Sequence, residues 1–140
     1  MNEEKLEVFN RPVEIQGYLE VESERLSGLC IESGITAGTT QTLVGATQLT
    51  AKYSVLGTVA NSSDAVKLPD LAPGQELFIK NSGASVAAVW PASVTRQING
   101  GTLAAVDGTT LGVGSTRVYI GDVDGINYVS FELNIQAHAN

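Results

Sequence analysis

The sequence predicts an all-β fold, a small β-sandwich or barrel with a Gly/Thr-rich crossover and an extended N-terminal arm. Three observations predict it. Short apolar runs alternate with Gly, Pro, Asn and Asp turn signals at close spacing. Fifteen glycines punctuate 140 residues, and no segment holds a helical 3.6-residue period for long. Charge is also uneven. Eight of the fifteen acids lie in the first 32 residues, answered only by Lys5, Arg11 and Arg25, so this stretch carries −5 of the formal −7. The reading divides the chain into an acidic arm with one or two strands (1–33), a β domain (34–134) and a C-terminal tail (135–140).

Residues 1–12 are polar and end at Pro12. Val13, Ile15, Leu19 and Val21 then alternate with Glu14, Gln16, Glu20 and Glu22, the pattern of a half-buried strand interrupted at Gly17. Ser33 to Thr50 holds six threonines and no charge after Glu32. It reads as a flat strand pair or a surface crossover, and such a stretch pairs readily with another chain. Strands follow at Tyr53–Ala60, Ala65–Leu68, Glu76–Lys80, Ser85–Trp90 and Thr109–Val113. Between them lie the turns Asn61–Asp64, Leu71–Gly74, Asn81–Gly83 and Ile98–Gly101. The strongest local signal is Asp122-Val123-Asp124-Gly125, which predicts a hairpin between Thr116–Gly121 and Ile126–Leu133. On its second strand Val129, Phe131 and Leu133 share one face, with Ser130 and Glu132 on the other.

Composition bounds the function. The chain has only eight aromatic residues, and its apolar fraction leans on Ala and Val. A light core rich in glycine is entropically costly to order, and burial between chains offsets that cost, so a homotrimer is expected. Net negative charge without a Lys/Arg cluster argues against nucleic acid. No apolar run approaches the length of a membrane span, and the first residues do not read as a secretory signal. The lone Cys30 excludes an intrachain disulfide, which fits a protein made in a reducing cytoplasm.

Chemistry-bearing residues are sparse. His138, the single histidine, sits two residues from the end, where a positioned catalytic partner is not expected. Cys30, between Leu29 and Ile31, reads as a small buried hydrophobe. A loose cation site of Asp107, Asp122 and Asp124 is conceivable, but a calcium loop counted from Asp122 places Leu133 where a bidentate Glu is needed. The turn role explains those aspartates, and neither a metal nor another cofactor is expected. No phosphate-binding glycine motif is present. Trp90, before Pro91, reads as core or interface packing in preference to a sugar-stacking platform. No enzyme activity is expected. The arm, by contrast, spaces apolar anchors along an acidic segment. Phe9, Val13, Ile15 and Tyr18 are its candidate partner-binding residues, suited to strand addition on a partner's sheet edge.

Several motifs resemble small structural proteins of tailed bacteriophages. They are Gly34-Ile35-Thr36-Ala37 with Gly45-Ala46-Thr47-Gln48-Leu49-Thr50, Thr58-Val59-Ala60 with Asp64-Ala65-Val66-Lys67-Leu68-Pro69, and Asn81-Ser82-Gly83-Ala84. Val89-Trp90-Pro91-Ala92, Ile98-Asn99-Gly100 and the closing pair Arg117–Ile120 and Asp124–Tyr128 continue the pattern. The resemblance covers roughly Gly34 to Tyr128 and carries no catalytic signature. Trp90 stands where Tyr or Phe is usual, and Arg96 where small polar residues are common. The resemblance implies a capsid decoration (cement) or head-fibre-like protein, commonly trimeric, whose partner is the major capsid protein and whose location is the outer capsid surface of the virion. The alternative it leaves is a fibre-type receptor- or glycan-binding module of a phage particle.

Overall fold

The computed structural model describes residues 30–133. The arm residues Phe9, Val13, Ile15 and Tyr18, the strand expected over Val13–Val21, and His138 all lie outside them. The described residues form nine strands: β1 (Ile31–Thr36), β2 (Thr47–Gln48), β3 (Tyr53–Thr58), β4 (Ala65–Lys67), β5 (Glu76–Asn81), β6 (Ala88–Trp90), β7 (Gln97–Ile98), β8 (Thr116–Gly121) and β9 (Asn127–Leu133). No helix is present among the described residues, and the fold is all-β.

The strands form two sheets, one of six in the order β1-β3-β5-β8-β9-β7 and one of three in the order β2-β4-β6. From β1 to β6 the chain switches sheet at every strand. Each strand pairs in parallel with the next but one, so three turns of a flattened coil stack on one another. Ile31 pairs with Tyr53 and Tyr53 with Phe78, which sets turn lengths of 22 and 25 residues. The hairpin β8–β9 then adds antiparallel to β5, and β7 closes the far edge beside β9. Leu56, Leu77, Ile79, Tyr119 and Tyr128 from the large sheet and Val66 and Val89 from the small one form one core between them, making a two-layer sandwich. A second small cluster, Ala46, Ala65 and Ala88 with Trp90 and Val106, includes residues of β4 and β6.

Polar side chains build the corners of the coil. Asp64 Oδ2 accepts from the Ala60 and Asn61 amides at 2.8 and 3.1 Å, fixing the turn between β3 and β4. Asn81, fully buried at the end of β5, donates to the Ser85 and Leu111 carbonyls at 2.8 and 3.0 Å and accepts from the Gly83 amide at 2.8 Å. All the hydrogen-bonding capacity of its amide except one lone pair is used, which is what makes its burial affordable in free-energy terms.

The predicted turns are present. Pro73-Gly74 forms a type II turn, with Gly74 at φ +86° and the Gln75 amide donating to Ala72 O at 2.9 Å. The hairpin spans Thr116 to Leu133, with Gly125 at φ +71°. Two expectations change. Thr109–Val113 is not a strand; only Leu111 bridges to Ala87, because the Asp107 and Gly112–Ser115 turns on either side leave no run to pair. The Thr-rich stretch is neither a strand pair nor wholly a crossover. Its first residues belong to β1, which opens at Ile31, and the rest crosses to β2 in the second sheet.

The Pro73-Gly74 turn packs on Gly121 at the end of β8. Gly74 N donates to Gly121 O at 2.8 Å and Gly121 N to Gln75 O at 3.0 Å. A Cβ on Gly121 would lie 2.3 Å from Ala72 O and 2.8 Å from Leu71 O. Both are backbone atoms that cannot rotate away. Gly121→Ala is therefore expected to destabilise the domain by about 2 kcal/mol, read as a lower urea midpoint at unchanged slope.

Candidate interaction face

Strand register places a continuous apolar row on the outer face of the six-stranded sheet. In β5, Leu77, Ile79 and Asn81 point into the core, so Glu76, Phe78 and Lys80 point out. Tyr53 lies beside Phe78, Phe78 opposite Val118, and Val118 opposite Phe131. Ile31 extends the row to β1. A second row, Glu76, Ile120 and Val129, runs along one side, and a third, Lys80, Thr116 and Leu133, along the other. Tyr53 and Phe78 stack with ring centroids 5.1 Å apart. Val118 is buried, whereas Phe131 is 48 % and Ile31 65 % exposed.

Strand β9 is inverted relative to ordinary half-buried strands. Its Val129, Phe131 and Leu133 share one face as its alternation predicts, but that face is turned to solvent, while Ser130 is buried. Scattered exposed apolar residues carry no meaning, whereas an apolar row crossing five strands makes this face the candidate interaction surface. Charges sit only at its margins. Glu76 lies 3.9 Å from Lys52, and Lys80 has no carboxylate partner among the described residues. Beyond Lys80 a shallow depression of about 350 Å³ is lined by Lys80, Val113, Ser115, Thr116, Glu132 and Leu133.

The inward side of β8 and β9 holds the polar residues that the inversion forces inside. Arg117 is buried, with Nε 3.8 Å from Asp107 Oδ2 and Nη1 4.0 Å from Glu132. Arg117 Nε and Asn99 Nδ2 both donate to Ser130 Oγ, at 3.3 and 2.9 Å. Tyr119 donates to Asp107 Oδ2 at 3.0 Å, and Asp107 Oδ1 accepts from the Thr109 amide at 3.0 Å. A second buried cation, Arg96, joins the β9 end to the loop after β4. It donates to Ile126 O at 3.2 Å, Leu71 O at 3.1 Å, Asn127 O at 3.4 Å and to Asp70, and it lies 4.1 Å over the Tyr128 ring. Tyr128 in turn donates to Pro69 O at 2.7 Å. Arg96, noted in the sequence only as an unusual loop residue, is thus a structural tie. Its burial had no sequence signal beyond its lone charge in an apolar stretch.

The remaining sequence candidates fall into place one by one. Asp122 Oδ1 accepts from the Val123 amide at 2.7 Å. Asp124 accepts from the Ile126 and Asn127 amides and from Asn127 Nδ2 at 2.7–2.8 Å. These bonds, the Asn127 amide first, hold the Asp124 carboxyl below its ordinary range. With Asp107 engaged in the core, the three aspartates do not converge, and no group of three potential metal ligands occurs among the described residues. Cys30 is exposed, which corrects the expectation of a buried thiol; it precedes β1, before the core begins. Trp90 is half-buried against the alanine cluster, with Nε1 out of contact with solvent.

Burial raises the Tyr119 hydroxyl well above its ordinary value of 10, and the adjacent Asp107 carboxylate adds to this. Burial also raises Tyr128, opposed by Arg96. Each folded value exceeds the unfolded one, so the stabilisation is complete below pH 10 and is lost as pH rises through the folded values. Alkaline titration should therefore show phenolate absorbance from Tyr119 and Tyr128 arriving together with loss of the near-ultraviolet circular dichroism. Ionisation of all four tyrosines at pH 10 with the fold intact would contradict this.

No protein-family model, curated protein or solved structure matches the chain.

Proposed function

We propose that the chain is a virion structural protein of a tailed bacteriophage, a capsid decoration (cement) protein that binds the assembled head and stabilises it. The observation that carries this reading is the outward apolar face of the six-stranded sheet. It gives an assembly protein a broad contact surface, while the charged side chains beneath it, Asp107, Arg117 and Arg96, are engaged in holding the domain together. The motif resemblance from Gly34 to Tyr128 supplies the phage assignment. The mechanism is mass action: a ligand that binds only the assembled lattice stabilises it, and several copies acting together multiply a weak contact. Phe9, Val13, Ile15 and Tyr18 of the arm meet the major capsid protein, and the arm glutamates fix register against basic residues there.

The test is sedimentation of the full chain with heads of the parent phage that lack it. The chain should pellet with the heads and raise their disassembly temperature, and Phe9→Ala combined with Val13→Ala should weaken pelleting without lowering the melting temperature of the free protein. Absence of binding to heads at any concentration would sink the assignment.

A further inference from the structure

The outer face has a charge arrangement that selects its occupant. On β5, Glu76 and Lys80 project on the same side as Phe78, two residues before it and two after. The apolar row therefore runs between Glu76, with Lys52 3.9 Å from it, on one side and Lys80 on the other. A two-fold axis lying along this row turns the face over onto itself and reverses strand direction. Phe78 then meets Phe78 of a second copy, and Glu76 of each copy meets Lys80 of the other. The same rotation brings the Val129 side of the face onto the Leu133 side, because Glu76, Ile120 and Val129 form one flanking row and Lys80, Thr116 and Leu133 the other. Val129 then covers Leu133, Ile120 covers Thr116, and Glu76 of each copy has Lys80 of the other as a second cation beside its own Lys52.

We infer that the outer face of the six-stranded sheet is a self-association surface that takes a second copy of this chain, packed sheet to sheet about a two-fold axis along the Ile31–Tyr53–Phe78–Val118–Phe131 row. The geometry is that of aligned sheet packing, with layers about 10 Å apart and strand directions about 30° from alignment. The area is sufficient. Five strands at about 4.8 Å spacing and six residues at about 3.4 Å each give a face on the order of 500 Å² in projection. That is about the least a specific interface buries on each partner, since one clears roughly 1,000 Å² in total. A two-fold pair is a different assembly from the trimer that composition predicts, and mass distinguishes them. The inference concerns the free protein and uses the same face as the proposed function, so in the pair head contact falls to Phe9, Val13, Ile15 and Tyr18 of the arm.

The experiment is sedimentation equilibrium of the full chain across a wide concentration range, with charge reversals at the two margins. The wild type should show a dimer mass. Glu76→Lys sets two lysines against each other at each margin, and Lys80→Glu sets two glutamates against each other. Each single variant should self-associate at least about tenfold more weakly. An equimolar mixture of the two should form a heterodimer of near wild-type affinity, because one copy then carries lysine at both positions 76 and 80 and the other glutamate at both. The double variant, Glu76→Lys with Lys80→Glu, should dimerise alone. Phe131→Asp should abolish the dimer, and circular dichroism of each variant separates this from unfolding. Four outcomes would overturn the inference. They are a wild-type monomer at all concentrations, whether the face is covered by residues 1–29 or left for the capsid; a trimer; a dimer indifferent to Phe131→Asp; and single variants whose mixture fails to recover. Wild type that dimerises yet ignores heads would instead leave this inference standing and remove the proposed function.

Discussion

Asp107→Ala is expected to destabilise the domain by about 3–5 kcal/mol, a large part of the total for a domain of this size. Two losses combine. Arg117, buried on the inward side of the sheet, loses the carboxylate 3.8 Å from its Nε and keeps the Ser130 hydroxyl at 3.3 Å and, as carboxylate, only the half-exposed Glu132 at 4.0 Å. Tyr119, with no exposed surface, loses the acceptor of its hydroxyl, and an unsatisfied buried donor costs about 1–3 kcal/mol. Asp107→Asn should cost less, because an amide oxygen can still accept from Tyr119. Adding Arg117→Met to Asp107→Ala should recover part of the loss, since the charge left unpaired is then gone. Urea unfolding of wild type, Asp107→Ala, Arg117→Met and the double variant gives the cycle. If Asp107→Ala alone stayed within 1 kcal/mol of wild type, roughly the scale of an exposed ion pair, the buried pair would not be holding the hairpin to the loop.

Arg96→Ala is expected to cost about 2–4 kcal/mol. The Asp70 contact contributes little of this, because that carboxylate is 82 % exposed and well solvated. The larger part comes from the Leu71, Ile126 and Asn127 carbonyls, which lose a donor, and from the guanidinium stacked 4.1 Å over Tyr128. Arg96→Lys should recover less than half, since a single ammonium cannot reach carbonyls on two segments at once. Asp70→Ala should be nearly silent, and Arg96→Met should fall between Lys and Ala by keeping the packed stem. Thermal melts rank the series, and a Lys variant equal to wild type would show that charge alone, not the planar fork, makes the tie.

Local features of this protein were legible in its sequence because they depend on nearest neighbours. Pro73-Gly74 and Asp122–Gly125 form turns because one fixes φ and the other supplies a positive φ. The alternation Val129, Phe131, Leu133 against Ser130 follows from the two-residue period of any strand. Two features were decided only in three dimensions. The first is pairing. The turns mark where strands end but not which strands pair, and β1 to β6 alternate between sheets and pair in parallel across 19 to 25 residues. Such pairing is set by how two sheets share Leu56, Ile79, Val66 and Val89, and it leaves no repeat of residue type to read. The second is direction. A period of two states which residues share a face, not which face is inside. Tyr128 and Tyr119 fill the core from β9 and β8, so Ser130 and Arg117 follow them inward and Phe131 is carried out. The candidate face exists because the largest side chains of the hairpin stand on both sides of it, and only packing against the second sheet determines which set is buried.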